Sequence, residues 1–328
     1  MKKSVTVILL CLILVMSCFG ATNANAKTKE RILTDDFVYY YSEDLNGYVV
    51  YCLNKQLTSV TIPSKVEGTD VVAIGDLAFK GFSEIESISL PKTIRKIGNY
   101  AFYDCNSLSS ITLPNAVTDI GGYAFYGCQS LTSVKIPNNV TKICEYTFYN
   151  CENLVSITIP NSVTEIERYA FYECKKLASI TIPNGVTKIG ESTFNNCENL
   201  ISITIPNSVT EIGANAFSNC SSLKSITIPS SVKTIGSGAF SQCSNLISVT
   251  ISDGVEVIEE DAFAGCNGVP SISIPKSITD IGFEAFSQNL FFYDGSIDAW
   301  YEITYYGWCY WTTAEENTVI CSDGIIRW

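Results

Sequence analysis

The chain has 328 residues, carries a formal net charge of −12 and contains no histidine. Without an imidazole, Ser-His-Asp and Cys-His nucleophile systems, histidine general bases and most catalytic zinc sites are excluded. The acidic balance disfavours nucleic acids and anionic membranes as partners.

The first 26 residues are predicted to be a secretion signal. Lys2 and Lys3 precede an apolar run over 5–15, and residues 24–26 form an A-x-A cleavage site. The run is too short to span a bilayer. Lipoprotein processing at Cys18 is an alternative, but the residues before it fit that pattern poorly. No later stretch is predicted to span a membrane. Cleavage would make the net charge more negative, from −12 to −14, since two of the 21 basic residues would be lost.

Residues 27–56 are predicted to form an N-terminal cap. Residues 37–41 and 48–52 are rich in β-formers and flank a turn that contains Asn46 and Gly47, which favours a β-hairpin. We expect this hairpin to cover the open edge of the first repeat.

A 23-residue period runs over residues 57–288 and predicts a repeat solenoid. Ten phenylalanines mark it: Phe79, Phe102, Phe125, Phe148, Phe171, Phe194, Phe217, Phe240, Phe263 and Phe286. Prolines keep the same spacing: Pro91, Pro114, Pro137, Pro160, Pro183, Pro206, Pro229 and, after one missed slot, Pro275. Such a period indicates stacked units that bury their apolar faces against their neighbours.

One repeat, taken over residues 108–128, is predicted to contain a strand and a tight return. Leu108, Ile111 and Leu113 form an L-x-x-I-x-L strand that Pro114 ends, because proline cannot donate to a β-ladder. Further inward positions are predicted at Val117, Ile120, Ala124, Phe125 and Cys128. We expect a right-handed leucine-rich-repeat coil of about ten units, with parallel strands on the concave face and short helical or 3₁₀ turns on the convex face.

The repeat resembles the BspA-like, Treponema-type leucine-rich-repeat family. The pattern C-x-x-L-x-x-I-x-L-P-x-x-V-x-x-I-G-x-x-A-F is present at Cys105, Leu108, Ile111, Leu113, Pro114, Val117, Ile120, Gly121, Ala124 and Phe125. Departures are local: Cys144, Glu167 and Glu259 replace the glycine, and Thr147 and Thr193 replace the alanine. The resemblance implies a secreted or cell-surface protein of bacterial or protozoan type, linked to adhesion and protein recognition.

Residues 289–328 are predicted to form an aromatic-rich C-terminal cap. They hold all four tryptophans: Trp300, Trp308, Trp311 and Trp328. Because the end of a solenoid exposes apolar core and unpaired strand, terminal units must differ from internal ones. We therefore favour capping over an aromatic ligand box, and expect one domain between signal and C-terminus.

Eight cysteines follow the repeat and are predicted to form a buried stack: Cys105, Cys128, Cys151, Cys174, Cys197, Cys220, Cys243 and Cys266. Stacked side chains in parallel register are poorly aimed for a disulfide, so we expect reduced thiols that bond to backbone carbonyls. Zinc binding is disfavoured by the absence of C-x-x-C pairs and histidine. Cys309 and Cys321 are the disulfide candidates, while Cys52 and Cys144 stay unassigned.

A continuous surface of serine and threonine side chains, which we call the hydroxyl carpet, is predicted on the strand face. The position four before proline is serine in all ten units, and the position two before is threonine or serine except at Lys135. Strand propensity and cross-strand hydroxyl bonding explain this pattern without a ligand.

Tyrosines fill two positions in four successive units: Tyr100 and Tyr103, Tyr123 and Tyr126, Tyr146 and Tyr149, Tyr169 and Tyr172. Each pair is three residues apart and therefore lies on one side of the convex turn. We call these eight residues the tyrosine strip. Tyrosine is a common anchor of binding surfaces, which makes the strip a candidate binding patch. Recent duplication of units with ring stacking is the alternative.

A stripe of charges that alternate in sign runs beside the tyrosine strip: Lys96, Asp119, Lys142, Glu165, Lys188 and Glu211. Exposed pairs of this kind contribute about 0.2–1 kcal/mol each, so the stripe is expected to stabilise the coil only.

We expect a secreted or cell-surface scaffold that binds macromolecules and has no catalytic activity, cofactor or metal. No phosphate-binding motif follows a strand, and a regular coil lacks the cleft that a carboxylate pair needs. Expected partners are a protein or a glycan, such as host extracellular matrix. Two alternatives remain open: a carbohydrate-binding surface protein that uses the tyrosine strip, and a passive structural component. A hydrolase is a weak third.

Overall fold

The computed structural model describes residues 31–286, 290–305 and 318–327. These lie almost entirely in the unit from Ile32 to Trp328. The predicted secretion signal, Cys309 and three of the four tryptophans lie outside the described residues.

The N-terminal cap contains a hairpin at residues 37–52. Strands Ile32–Leu33 (β1), Phe37–Ser42 (β2) and Gly47–Cys52 (β3) pair antiparallel in that order. The turn passes through Asn46, whose φ of +46° lies in the left-handed region that asparagine tolerates. β3 pairs in parallel with Thr69–Ile74, the first strand of the coil's second row, and so covers that edge.

A first row of parallel strands carries the predicted serine-rich positions. Its members are Ser59–Thr61, Ser87–Ser89, Ser110–Ile111, Ser133–Lys135, Ser156–Thr158, Ser225–Ile228, Ser248–Ile251 and Ile272–Ile274. At Ser179 and Ser202 the row continues through single bridges. Serine pairs with serine one unit on, as Ser133 does with Ser156, so the 23-residue period sets the register.

A second row of strands was not predicted from the sequence. Its members are Thr69–Ile74, Lys96–Ile97, Asp119–Ile120, Lys142–Ile143, Glu165–Ile166, Lys188–Ile189, Glu211–Ile212, Thr234–Ile235, Val257–Ile258, Asp280–Ile281 and Thr304–Tyr305. Most have two residues, of which the first is exposed or half-buried and the second is a buried isoleucine. A two-residue strand is too short to show alternation, so each unit has two strands where the pattern predicted one. A short antiparallel strand, Lys65–Val66, pairs with Thr69–Ile74.

The return segment is a third ladder, made of tight turns. Phe102 N donates to Ala124 O at 2.8 Å and Asp104 N to Tyr126 O at 2.8 Å, one unit on. Within the unit, Cys105 N donates to Phe102 O at 3.2 Å. The described repeats have hydrogen-bonded turns here and no regular 3₁₀ helix. Most units are thus joined to the next along three sides, although the second row is interrupted between Asp119–Ile120 and Lys142–Ile143.

The core is a column of repeated side chains inside the coil. The ten predicted phenylalanines stack with ring centroids 5.1–5.6 Å apart. Inward positions of the type unit, such as Val117, Ile120 and Ala124, are also buried. Burial of a large apolar side chain contributes about 1.5–3 kcal/mol, so this core is the main source of stability.

The polar side chains that depart from the repeat pattern form hydrogen bonds with nearby backbone groups. Thr147 Oγ1 donates to Cys144 O at 2.8 Å, and Thr193 Oγ1 donates to Gly190 O at 2.8 Å, so both buried hydroxyls are bonded. Glu167 accepts from the backbone N of Glu145 at 2.9 Å.

The C-terminal cap continues the first row. Leu290–Tyr293 and Thr318–Cys321 extend it in parallel, and Gly324–Arg327 turns back antiparallel. Helix α1, Ile297–Tyr301, buries Trp300. Its N-cap Ser296 accepts from Ala299 N, which satisfies one free helical donor. No helix among the described residues is long and apolar enough to cross a membrane.

Candidate functional site

The eight tyrosines of the strip form two parallel columns of stacked rings. In the first column the ring centroids are 4.5–4.7 Å apart and the planes lie within 12°; its members are Tyr100, Tyr123, Tyr146 and Tyr169. In the second they are 4.6 Å apart and within 9°; its members are Tyr103, Tyr126, Tyr149 and Tyr172. The two rings of one unit are 5.6–5.9 Å apart. The structure thus brings together all eight residues named from the sequence.

The stacking decides which part of each ring a ligand can reach. All eight tyrosines are half-buried. Because ring faces are turned toward the tyrosines above and below, the strip presents ring edges to solvent. A sugar binds an aromatic side chain through an open ring face. This geometry therefore disfavours the carbohydrate-binding use of the strip.

Both ends of the strip are closed by polar contacts. At the N-terminal end, Lys80 Nζ lies 5.7 Å from the ring centroid of Tyr100 and 4.8 Å from that of Tyr103. At the other end, the Tyr169 hydroxyl donates to Glu191 at 2.6 Å. The ring faces at the Lys80 end are covered by a cation–π contact. Sequence reasoning missed this contact, although Lys80 lies one 23-residue period before Tyr103.

The first-column tyrosines have a left-handed backbone. Their φ angles are +55° to +58°, a region that destabilises a non-glycine residue by roughly 1–2 kcal/mol. Each stacked pair contributes about 0.5–1.5 kcal/mol, a gain of similar size. Equivalent later positions hold Asn215 and Gly238, which tolerate this conformation better. Stability alone thus does not favour tyrosine here. The left-handed backbone itself recurs at the equivalent position of units without strip tyrosines, as at Leu77, Ser192 and Asp261, so it belongs to the turn of the repeat.

Carboxylates flank the second column. Burial raises the pKa of Tyr126, and the charges of Tyr103, Asp104 and Glu173 add to the effect. Burial also raises the pKa of Tyr123 and Tyr149 to about 12. The hydroxyls of Tyr123, Tyr126 and Tyr149 therefore stay protonated over the physiological range and are available as hydrogen-bond donors.

A charged groove of about 800 Å³ borders the end of the strip at Tyr169, and it is the place where a carboxylate-based hydrolase could be sought. Each acid of the groove has a partner within 3.4 Å: Arg168 for Glu145, Lys142 for Glu165 and Glu167, and the Tyr169 hydroxyl for Glu191. No cluster of metal-ligating side chains occurs among the described residues. The groove thus shows an ion-pair network and no free acid–base pair.

The eight stacked cysteines are fully buried, and none of them forms a disulfide. Each thiol lies 3.1–3.3 Å from the carbonyl oxygen of a phenylalanine in the preceding unit, as Cys151 Sγ does from Phe125 O, and donates to it. Burial raises the pKa of Cys105 and Cys220 to about 12. A buried thiol with so high a pKa is a poor nucleophile, which favours a structural role for the stack.

The cysteines outside the stack have different surroundings. Cys52 is buried in β3, where burial raises its pKa to about 11, and Cys144 is a half-buried free thiol. Cys321 is buried in Thr318–Cys321. Its predicted partner Cys309 lies outside the described residues, so the disulfide stays a prediction.

The hydroxyl carpet is exposed along the first strand row. The Ser87 hydroxyl donates to Ser59 Oγ at 3.0 Å, a bond of the cross-strand kind expected there. The corner beside the serines carries exposed apolar side chains that sequence reasoning missed: Val155, Ile201 and Ile247 are 48%, 50% and 60% exposed. They stand one position after the buried leucine of each unit. Single exposed apolar residues are normal on a protein surface.

The charge stripe lies on the second strand row. Within it, Lys142 pairs with Glu165 at 3.4 Å and Lys188 with Glu211 at 2.6 Å. Both pairs are half-exposed, so each is worth about 0.2–1 kcal/mol.

Comparison with known proteins places the chain among leucine-rich-repeat proteins. A family model described as the BspA-type leucine-rich-repeat region matches residues 47–178 and 164–291. A leucine-rich cell surface protein from Faecalibacterium prausnitzii A2-165 is 27% identical, with 86% of this chain and 99% of that chain covered and a TM-score of 0.49. A leucine-rich-repeat protein from Bacteroides ovatus ATCC 8483 is 24% identical, with 84% and 90% covered and a TM-score of 0.51. No curated protein matches.

Proposed function

The chain belongs to the BspA-type leucine-rich-repeat family, and from this premise we propose that it is a non-catalytic scaffold that recognises other proteins at or outside the cell surface. The family supports protein binding in general. We assign the recognition surface to the tyrosine strip and the location to the secretion signal predicted at residues 1–26.

The observation that supports this proposal most is the pair of stacked tyrosine columns. Tyrosine combines rigid apolar area with a polar tip, and rigid anchors lose little conformational entropy on binding. The columns hold the rings in one arrangement before a partner arrives. The second column is flanked by Asp104 and Glu173, so we expect a partner surface that is neutral or basic.

A matched variant can test the strip without disturbing the coil. The unit that contains Asn215 and Ser218 shows which residues the coil accepts at the two tyrosine positions. We define the four-tyrosine variant as Tyr123→Asn, Tyr146→Asn, Tyr126→Ser and Tyr149→Ser. A first-row variant with Ser156, Thr158, Ser179 and Thr181 changed to alanine serves as the control surface.

The experiment measures saturable binding of residues 27–328 to immobilised fibronectin, laminin, collagen and glycans. We expect a protein ligand whose binding is lost in the four-tyrosine variant and kept in the first-row variant. Loss only in the first-row variant would move the site to the hydroxyl carpet. Binding that free sugar abolishes would favour the carbohydrate alternative, and no saturable binding at all would favour a passive structural component.

A further inference from the structure

The tyrosine strip has the dimensions of an extended flat ligand. The three gaps in the first column, of 4.5, 4.5 and 4.7 Å, place its outer rings about 14 Å apart. The neighbouring column lies 5.6–5.9 Å to the side over the same four units. The strip is therefore a ladder four rings long and two rings wide.

The exposed part of this ladder has a definite electrostatic character. An aromatic ring is negative on its faces and positive at its edge, so edge-to-face contact is favourable. Because stacking leaves the edges outward, the matching group is a π-face that lies flat across several rings. A long conjugated molecule offers such a face along its whole length.

The charges beside the ladder restrict the ligand further. Asp104 and Glu173 both act on the Tyr126 hydroxyl, and Glu145 acts on Tyr123. Arg168 pairs with Glu145 at 2.8 Å and Lys80 acts on Asp104, so these two cations offset only part of the negative charge of Asp104, Glu145 and Glu173. An anionic ligand is therefore disfavoured, while a neutral or cationic one is accepted.

We propose that the tyrosine strip binds elongated, planar, conjugated small molecules, uncharged or cationic, which lie flat over the ring edges along the coil. The proposal rests on the strip being the recognition surface assigned above, and adds a ligand class to it. The ligand is recognised by shape and π-surface, so molecules of different chemistry that share this flat form compete for the same place.

Thioflavin T, a planar benzothiazole cation whose emission rises when its rings are held coplanar, is a direct probe. Titration into the folded full chain should give a saturable rise in emission. In the four-tyrosine variant the affinity should fall about tenfold or more, since two of the four rings in each column are lost. The first-row variant should bind the dye as the unchanged chain does.

A second pair of measurements tests the charge preference. Asp104→Asn with Glu173→Gln should weaken thioflavin T and leave its uncharged benzothiazole analogue unaffected. The coil accepts these residues, because Asn150 and Gln242 occupy the equivalent position in other units with the same left-handed backbone. The anionic planar dye Congo red should bind more weakly than thioflavin T.

The proposal is overturned if the unchanged chain gives no saturable dye signal, or if the four-tyrosine variant keeps it. Its failure can be told apart from that of the proposed function. If the dye does not bind but protein binding still depends on the four tyrosines, only the proposed small-molecule ligand class is rejected. If dye binding depends on the tyrosines but no protein ligand is found, only the proposed role in protein recognition is rejected.

Discussion

At the scale of single residues, the stacked cysteines show how a thiol sulfur can stabilise the buried corner of the coil. The carbonyl of each phenylalanine already accepts a backbone N–H within its own unit, as Phe125 O does from Cys128 N at 3.2 Å. The thiol of the next unit, Cys151, then donates to the second lone pair of the same oxygen. A small, polarisable, weakly donating side chain fits this fully buried corner better than a strongly polar one.

Cys151→Ala is expected to destabilise the protein by about 1–3 kcal/mol, because it removes the thiol hydrogen bond and leaves a small cavity. Urea denaturation followed by circular dichroism measures the change. Cys144→Ala is the matched control: Cys144 is also a cysteine and lies seven residues earlier in the same unit, but it is only half-buried, so its loss should change stability by less than about 1 kcal/mol. Equal effects would contradict a structural role for the stack.

The stack also predicts a loss of stability in alkali. An unfolded thiol ionises near the ordinary value of 9.0, whereas Cys105 and Cys220 in the fold ionise near 12. Above pH 9 the unfolded chain therefore releases protons that the folded chain keeps, and the free energy of unfolding falls as pH rises. Unfolding midpoints measured from pH 8 to pH 11 should show this decline. It should be shallower in Cys105→Ala.

At the scale of the element, the two tyrosine columns have the same stacking but different backbones. Tyr146 has a φ of +55°, while Tyr149 is not among the residues of positive φ. Both have stacked neighbours at 4.5–4.7 Å on each side. Comparison of Tyr146 with Tyr149 can therefore separate the energy of ring stacking from the energy of backbone strain.

Tyr149→Asn is expected to destabilise the protein more than Tyr146→Asn does, by about 1–2 kcal/mol, because asparagine relieves left-handed strain only at position 146. Chemical denaturation of the two single variants measures the difference. Equal losses would show that the strain in the first column is negligible. In that case the argument that tyrosine is kept there for function would lose its energetic support.

The column and its neighbours were predictable from the sequence to different degrees. Constant spacing brings Tyr123 beside Tyr146 whatever the details of the coil, so the strip and the phenylalanine core followed from the period. The left-handed backbone did not, because tyrosine seldom adopts it and glycine occupies the equivalent position in one unit only, at Gly238. The second strand row could not be predicted either, since a two-residue strand such as Lys96–Ile97 is too short to show the alternation of apolar and polar residues that marks a strand.

At the scale of the whole molecule, the units contact only their neighbours and so behave as a one-dimensional array. Strand pairing and turn ladders join residues 23 apart along most of the coil, as Ser225 pairs with Ser248. Removing one whole unit should leave the register of all others unchanged.

Deletion of residues 130–152 removes the unit with Tyr146 and Tyr149, and deletion of residues 199–221 removes one without strip tyrosines. Both should yield folded coils with similar circular dichroism, since each joins equivalent positions of the repeat. Only the first should weaken binding at the strip, because it shortens both columns from four rings to three. Thioflavin T titration of the two deletions checks this, and a loss of folding in either would contradict the array description.

The hydrogen-bonded ladders on all three sides of the coil have a mechanical consequence. The backbone hydrogen bonds between units join a unit to its neighbours in the coil, so we expect tension on the two ends of the chain to load one terminal unit at a time. Each unit that detaches frees 23 residues, or about 75–80 Å of extended chain. A molecule held at one end and pulled at the other would lengthen in equal steps, and would absorb a sudden load as an extensible tether while its remaining units stay folded.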